Sequence, residues 1–184
     1  MVNKIIVPGL HNSDPQHWQS HLERQFPQEY MRILQEDWDR PNDDLWVPAI
    51  EQQLQGYKHE DLILIGHSIG CIAIVKWLEQ YQHLIKGALL VAPSDAEQAN
   101  FPDYIRGFKP IPLRRLGFPS IVVASDNDHV TRLERARFFA HHWGSKLEVL
   151  KSAGHIESAS GFGPWPLGRN LIQELDSSAN KDVD

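Results

Sequence analysis

Six short apolar runs punctuate the chain, and four of the five intervals between them, together with the stretch after the last, carry a helical period. The runs are Lys4–Gly9 (KIIVPG), Tyr30–Gln35 (YMRILQ), Leu62–Gly66 (LILIG), Gly87–Pro93 (GALLVAP), Ser120–Ser125 (SIVVAS) and Lys146–Lys151 (KLEVLK). The first, third, fourth and fifth are nearly continuous in Ile, Leu, Val and Ala, as strands buried on both faces of a parallel sheet must be. Lys146–Lys151 alternates apolar with polar and predicts an edge strand.

Helical patterns fill the intervals. Asp14–Phe26 opens with Asp then Pro, a capping and first-turn pair. Asn42–Gln55 has apolar residues at 45, 46, 49, 50 and 54, which requires Pro48 to sit near its start. Ile69–Tyr81 is apolar around most of its circumference, as a central helix would be; Thr131–Trp143 is amphipathic, and Trp165–Leu175 closes the pattern. Strands alternating with helices predict an open, mostly parallel α/β sheet of about six strands with helices on both faces. The expected organisation is one domain over residues 1–176 and a polar, frayed tail over 177–184. Ligands of such sheets bind beyond the carboxyl ends of the strands, so the chemistry belongs just after each apolar run.

Charge and composition narrow the field. Lys and Arg number 18 against 24 Asp and Glu, for a net charge of -6, with no dense basic run. Such a chain is a poor binder of nucleic acid or anionic membranes. Cys71 is the only cysteine, which rules out an intrachain disulfide and a thiolate zinc cluster. No run approaches the roughly 18 apolar residues of a membrane span. The opening MVNKIIVPG is interrupted too early for a signal peptide. A soluble, cytoplasmic protein is expected.

After the third run comes Gly66-His67-Ser68-Ile69-Gly70, a G-x-S-x-G between a buried strand and a buried helix. A strand turning sharply into a helix puts the serine at the apex in a strained conformation, and small flanking residues avoid the clash that results. A serine hydroxyl needs a histidine as base, and the histidine needs a carboxylate to orient it. The order expected on this sheet is Ser, acid, His. His155 follows the last run and a glycine, and is the candidate base. Asp126 and Asp128 both follow the fifth run, and spacing alone does not separate them. Asp128 is preferred because it lies further out, where a loop can bend toward His155; one of the pair could instead cap the helix near Thr131. Oxyanion donors are expected at the backbone N–H of Ile69, next after the nucleophile, and of Leu10, in the loop after the first run.

Other residues carry weaker signals. His11 could face the site, and Trp38 and Trp165 could line an acyl pocket. Trp18, Trp46, Trp77 and Trp143 lie in helical patterns and are expected to pack on the sheet. His17 and His21 have a helical metal-ligand spacing but lack the H-E-x-x-H glutamate and an evident third ligand, so they are expected at the surface. Cys71 is expected buried and inert. No phosphate-binding glycine loop is present in the sequence.

With these motifs in place, the chain resembles the α/β-hydrolase superfamily, and within it the small, lidless serine hydrolases typified by retinoblastoma-binding protein nine and its bacterial relatives. The resemblance runs through VPGLHNSDPQHW, QEDWDRPNDDLWV, LIGHSIGCIAIVKWL, LLVAPSD, VVASDNDHV and SAGHIESASGFGPWPLG. It implies a Ser-Asp-His triad and places the acid at the aspartate of S-x-x-D, Ser125 to Asp128. Relatives often follow that aspartate with proline, where this chain has His129. The resemblance implies carboxylesterase-type hydrolysis of a small acyl substrate, with no cofactor and no metal. The stretch between 93 and 117 is too short for a large cap domain. The rival reading is a binding protein on a hydrolase scaffold; protein partners are not indicated by any motif.

Overall fold

In the computed structural model, which describes residues 2–178, the strands are β1 (Asn3–Val7), β2 (Tyr30–Arg32), β3 (Leu62–His67), β4 (Gly87–Val91), β5 (Ser120–Ser125) and β6 (Lys146–Leu150). They form one sheet in the order β2-β1-β3-β4-β5-β6, and every pairing is parallel. The alternating run does form an edge strand, and β3 to β5 are buried along their whole length.

The strand period of two sorts the apolar side chains into two cores. Ile5, Val7, Leu62, Leu64, Ala88, Leu90 and Val122 face α2 (Asp43–Leu54), α3 (Ile69–Tyr81) and α4 (Leu133–Trp143). Ile6, Ile63, Ile65, Leu89, Val91, Ile121 and Val123 face α1 (Trp18–Gln25) and α5 (Pro166–Ser178). Each fully buried branched side chain contributes about 1.5–3 kcal/mol, which makes these faces the main source of stability. Trp18, Trp46, Trp77 and Trp143 are all buried in the cores, as expected.

Several boundaries differ from the sequence expectation for local reasons. α1 begins at Trp18 rather than Asp14. The Asp14 carboxylate accepts the Gln16 N–H in a separate turn, and the cap is His17, whose Nδ1 accepts the Gln19 N–H at 3.2 Å. α4 begins at Leu133 because the Thr131 hydroxyl accepts the Asp95 N–H, tying that residue to the β4 exit. Pro48 lies inside α2, at its sixth position. α5 continues through Ser177 and Ser178, whose hydroxyls donate to the carbonyls of Gln173 and Glu174, so the expected tail begins as helix. The rest of that tail lies outside the described residues.

Between β4 and β5, residues 92–119 form no helix, and their one sheet-like contact is an isolated bridge from Arg106 to Asn42. The segment is held by Trp143 Nε1–H on the Pro112 carbonyl and by the Ile111 N–H on Glu97. Among the described residues there is no large cap domain. Among the described residues no helix is long and apolar enough to cross a membrane.

Candidate active site

Ser68 stands between β3 and α3 with φ 55° and ψ -126°, a conformation that non-glycine residues rarely hold. Its N–H is fixed on the Val91 carbonyl at 3.0 Å. The flanking glycines are required by close approach. A Cβ on Gly70 would lie 2.3 Å from the Val7 carbonyl oxygen, and one on Gly9 would lie 2.9 Å from that of His67. The start of α3 and the loop after β1 therefore press directly on the serine turn. That contact brings Leu10 and Ile69 to the same cavity as Ser68.

The three expected catalytic side chains meet. His155 Nε2 is 2.9 Å from Ser68 Oγ, and His155 Nδ1 is 2.9 Å and 3.1 Å from the two carboxylate oxygens of Asp128. A carboxylate only accepts, so Nδ1 carries the proton and Nε2 accepts from the serine hydroxyl. The Asp128 and His155 side chains are 3% and 6% exposed, which keeps water from competing for the pair. Asp128 Oδ1 also accepts the Val130 and Thr131 N–H groups, so the carboxylate that orients the histidine also orders the approach to α4.

Asp126 does something else. Its Oδ1 accepts the Ser152 N–H at 2.7 Å. The neighbours act alike: Ser125 Oγ accepts the Ala153 N–H and Asn127 Oδ1 accepts the Gly154 N–H. Ser125, Asp126 and Asn127 thus pin the backbone that delivers His155, and Asp128 takes the ring. The spacing of the two aspartates could not separate these roles; the loop they grip could.

Two buried histidines lie behind the triad. His67 Nε2–H donates to the His155 carbonyl at 2.9 Å, and the His17 ring packs on the His67 ring with centroids 4.6 Å apart. The sequence expectation for His17 is corrected here: it is 3% exposed, because capping α1 turns its ring inward. Burial lowers its pKa to about 4 and holds His67 well below the usual histidine value, so both stay neutral at pH 7. His21, half-buried, lies instead in a groove with Trp18 and Trp165, so the two do not form a ligand pair.

The cavity at Ser68 has a volume of about 470 Å³. Phe101, Pro102, Ile105 and Val130 supply apolar lining; Asn12, Asp14, Glu157 and Ser158 supply polar lining. The Ser158 hydroxyl donates to the Asp14 carboxylate, which holds that acid below its usual range. His11 lines the cavity, and its ring is bonded to Asp39. Trp38 and Trp165 do not line it, which corrects the pocket expectation. Trp38 packs edge-on against Trp46 with centroids 5.3 Å apart, and reaches the site only through its carbonyl, which accepts the His11 N–H. Trp165 packs against Trp18 and Phe162 on the far side of the loop. Cys71 is buried, donates to the Val91 carbonyl and has its thiol pKa pushed up, as an inert core residue should.

Ser94 was not singled out by the sequence. It follows β4, is buried, and places its hydroxyl 3.0 Å from Ser68 Oγ. The strand-end rule that located Asp128 and His155 applies equally to PSD after β4 and would have found it.

Comparison with known proteins fits this geometry. A family model described as serine hydrolase matches residues 4–174. A YdeN-like hydrolase from Pectobacterium atrosepticum is 37% identical, with a TM-score of 0.84 over 97% of this chain and 92% of that one. The ydeN product of Bacillus subtilis is 19% identical, with a TM-score of 0.79 over 97% of this chain and 100% of that one. Est1E from Butyrivibrio proteoclasticus, solved with ferulic acid bound, shares the fold at 13% identity, with a TM-score of 0.70 over 97% and 90%. No curated protein matches the chain. The open parallel sheet is that of the α/β hydrolases, and by the match across nearly its whole length the chain belongs to the serine hydrolase family.

Proposed function

We propose that this hydrolase is a carboxylesterase-type enzyme that cleaves small ester, thioester or amide substrates through Ser68, His155 and Asp128. The observation that carries the reading is the unbroken chain from Ser68 Oγ to His155 Nε2 at 2.9 Å and from Nδ1 to Asp128 at 2.9 Å. His155 removes the hydroxyl proton as Ser68 Oγ bonds to the acyl carbon, and the carbonyl oxygen becomes an oxyanion. The Leu10 and Ile69 N–H groups hold that oxyanion; one such donor is worth about 10²–10³ in kcat. The tetrahedral intermediate collapses as His155 returns the proton to the leaving group. Water, deprotonated by the same histidine, then releases the acid and restores Ser68. Asp128 stabilises the transient imidazolium and fixes the tautomer throughout. None of these steps draws on a cofactor or metal.

The acyl portion lies against Phe101, Pro102 and Ile105, and the cavity volume suits a small substrate. A single buried cysteine and an acidic surface support action in the reducing cytoplasm, on a small molecule rather than on nucleic acid or a membrane. Labelling with a fluorophosphonate tests the reading. Wild type should label at Ser68, while Ser68→Ala and His155→Ala should not. An unlabelled wild type, or equal labelling of Ser68→Ala, would leave a binding protein on a hydrolase scaffold as the better account.

A further inference from the structure

Far from Ser68, three ligating side chains from separate elements converge. Glu51 lies on α2, His59 lies in the turn that leads into β3, and His83 follows the C-terminus of α3. The active site occupies the carboxyl ends of the strands. His59 and His83 lie at the opposite ends, separated from Ser68 by the length of β3, about 16–20 Å of strand. One nitrogen from each histidine and a carboxylate oxygen of Glu51 all lie within 4.8 Å of one another. We propose that Glu51, His59 and His83 bind a borderline divalent transition metal, of the zinc, nickel or copper class, as a staple between α2, the entry to β3 and the end of α3.

The donor set and its support both fit. His83 Nε2 stands 3.0 Å from Glu51 Oε2, while the His59 and His83 rings pack with centroids 3.8 Å apart and planes tilted by 42°. The Glu51 carboxylate satisfies His83 but leaves the His59 ring with no hydrogen-bond partner among the described residues. Two imidazoles pressed together without a bridging group repel when charged and are drawn together by a cation that both can ligate. Glu51 is aimed from behind: the indole N–H of Trp77, a fully buried core residue, donates to Oε2 at 2.8 Å. Outer hydrogen bonds of this kind orient metal-bound carboxylates.

Two nitrogens and one carboxylate match the zinc group; magnesium and calcium take oxygen ligands almost throughout. Bonds of about 2.0–2.2 Å put tetrahedral donors about 3.3 Å apart. The His83–Glu51 pair is already that close, so only His59 has to move inward. It is half-buried on a short turn, where side-chain rotation suffices. Water would complete the coordination. The ligands are 8 and 24 residues apart along the chain, so no local spacing motif announces them.

Zinc titration of chelator-stripped full-length protein, followed by calorimetry and thermal melting, tests the site. Wild type should bind one equivalent and melt at a higher temperature with zinc, because metal that binds only the native state stabilises it. His59→Ala and His83→Ala should each weaken binding by about tenfold or more, and the double variant should abolish it. Hydrolysis of a neutral ester should be unchanged by zinc in wild type. The proposal is overturned if wild type takes up no zinc, or if the double variant binds as tightly as wild type, as it would were the metal held at His155. Should the variants fold poorly, cobalt(II) is added to wild type and to His155→Ala: intense four- or five-coordinate bands in both support the site, and their loss in His155→Ala, or the spectrum of hydrated cobalt in wild type, overturns it.

Discussion

Ser68, Asp128 and His155 project from the ends of β3, β5 and β6, three strands locked in a continuous parallel ladder. Phe101, Pro102 and Ile105, which line the same cavity, come from a segment with no helix and a single isolated bridge. The three side chains proposed to react are therefore held by the backbone ladder and the packed core beneath them. The wall has no such ladder: isolated backbone bonds, such as Arg106 N–H on the Pro41 carbonyl, packing on the core, and side-chain bonds such as Ile111 N–H on Glu97 and Arg135 on both Asp95 and Glu97 hold it. Reaction geometry tolerates less than an ångström of error, whereas acyl selectivity tolerates redesign of the wall. Substitutions in the two regions should fail differently, the first in kcat and the second in the choice of substrate.

The largest break should come from the triad. Ser68→Ala and His155→Ala should each lower kcat on a short activated ester by about 10⁶-fold, and the double variant should lose little more, since the groups act as one unit. Losses that multiply instead would show two independent contributions. Asp128→Asn should cost about 10⁴-fold by presenting the wrong histidine tautomer. Asp126→Asn keeps an acceptor for the Ser152 N–H and should stay near wild-type activity. If Asp126→Asn alone removed activity, the assignment of the acid would be reversed.

How much of this was legible in the sequence follows the same division. Continuous Ile, Leu and Val in the inner strands, alternation in β6, and the glycines around Ser68 are each dictated by burial or close approach, and each was readable. The convergence of Ser68, Asp128 and His155 was readable because strand ends are where an α/β sheet puts its chemistry. Residues 92–119 have no periodicity, so their place in the cavity wall could not be derived. The tryptophans were misplaced for a related reason: an indole after a strand end can face a pocket or a neighbouring indole, and Trp46 and Trp18 decided that through tertiary packing. His17 looked like a surface residue because its period is that of α1. Its capping bond to Gln19, which turns the ring inward, is invisible to periodicity.

That buried histidine pair gives the next prediction. His17, at a pKa of about 4, and His67, held well below the usual value, bind protons more readily in the unfolded chain than in the folded one. Their contribution is intact above the unfolded value of about 6.5 and is lost as the pH falls from there toward 4. Each group alone approaches a slope of about 1.4 kcal/mol per pH unit in that window. Urea unfolding at several pH values should show the decline. His17→Asn, which keeps a capping acceptor, should make it shallower; an unchanged slope would remove His17 as its source.

Within the wall, Phe101→Ala and Ile105→Ala should leave kcat on an acetyl ester near wild type. They should shift preference toward longer acyl chains by about tenfold in kcat/KM, the scale at which a hydrophobic pocket discriminates a methylene or two. A matched series of acyl esters reads this directly. Equal losses across the series would mean that the segment supports the triad rather than selecting the substrate.

Trp165→Phe should have the smallest effect on catalysis, and it is the sharpest test of where the rigid region ends. Trp165 lines no part of the cavity and packs against Trp18 and Phe162. Trp18, however, donates its indole N–H to the Ile156 carbonyl at 3.0 Å, and Ile156 holds φ 52° next to His155. A route of two contacts thus leads from Trp165 to the catalytic loop. The same loop is independently pinned by Ser125, Asp126, Asn127 and the His67 ring. Four anchors outweigh one loosened contact, so kcat should stay close to wild type while the melting temperature falls through lost packing between α1 and α5. A loss nearer 10²-fold in kcat, the cost of about an ångström of misplacement, would show instead that the Trp18 bond sets the position of His155 and that the rigid region extends to α5.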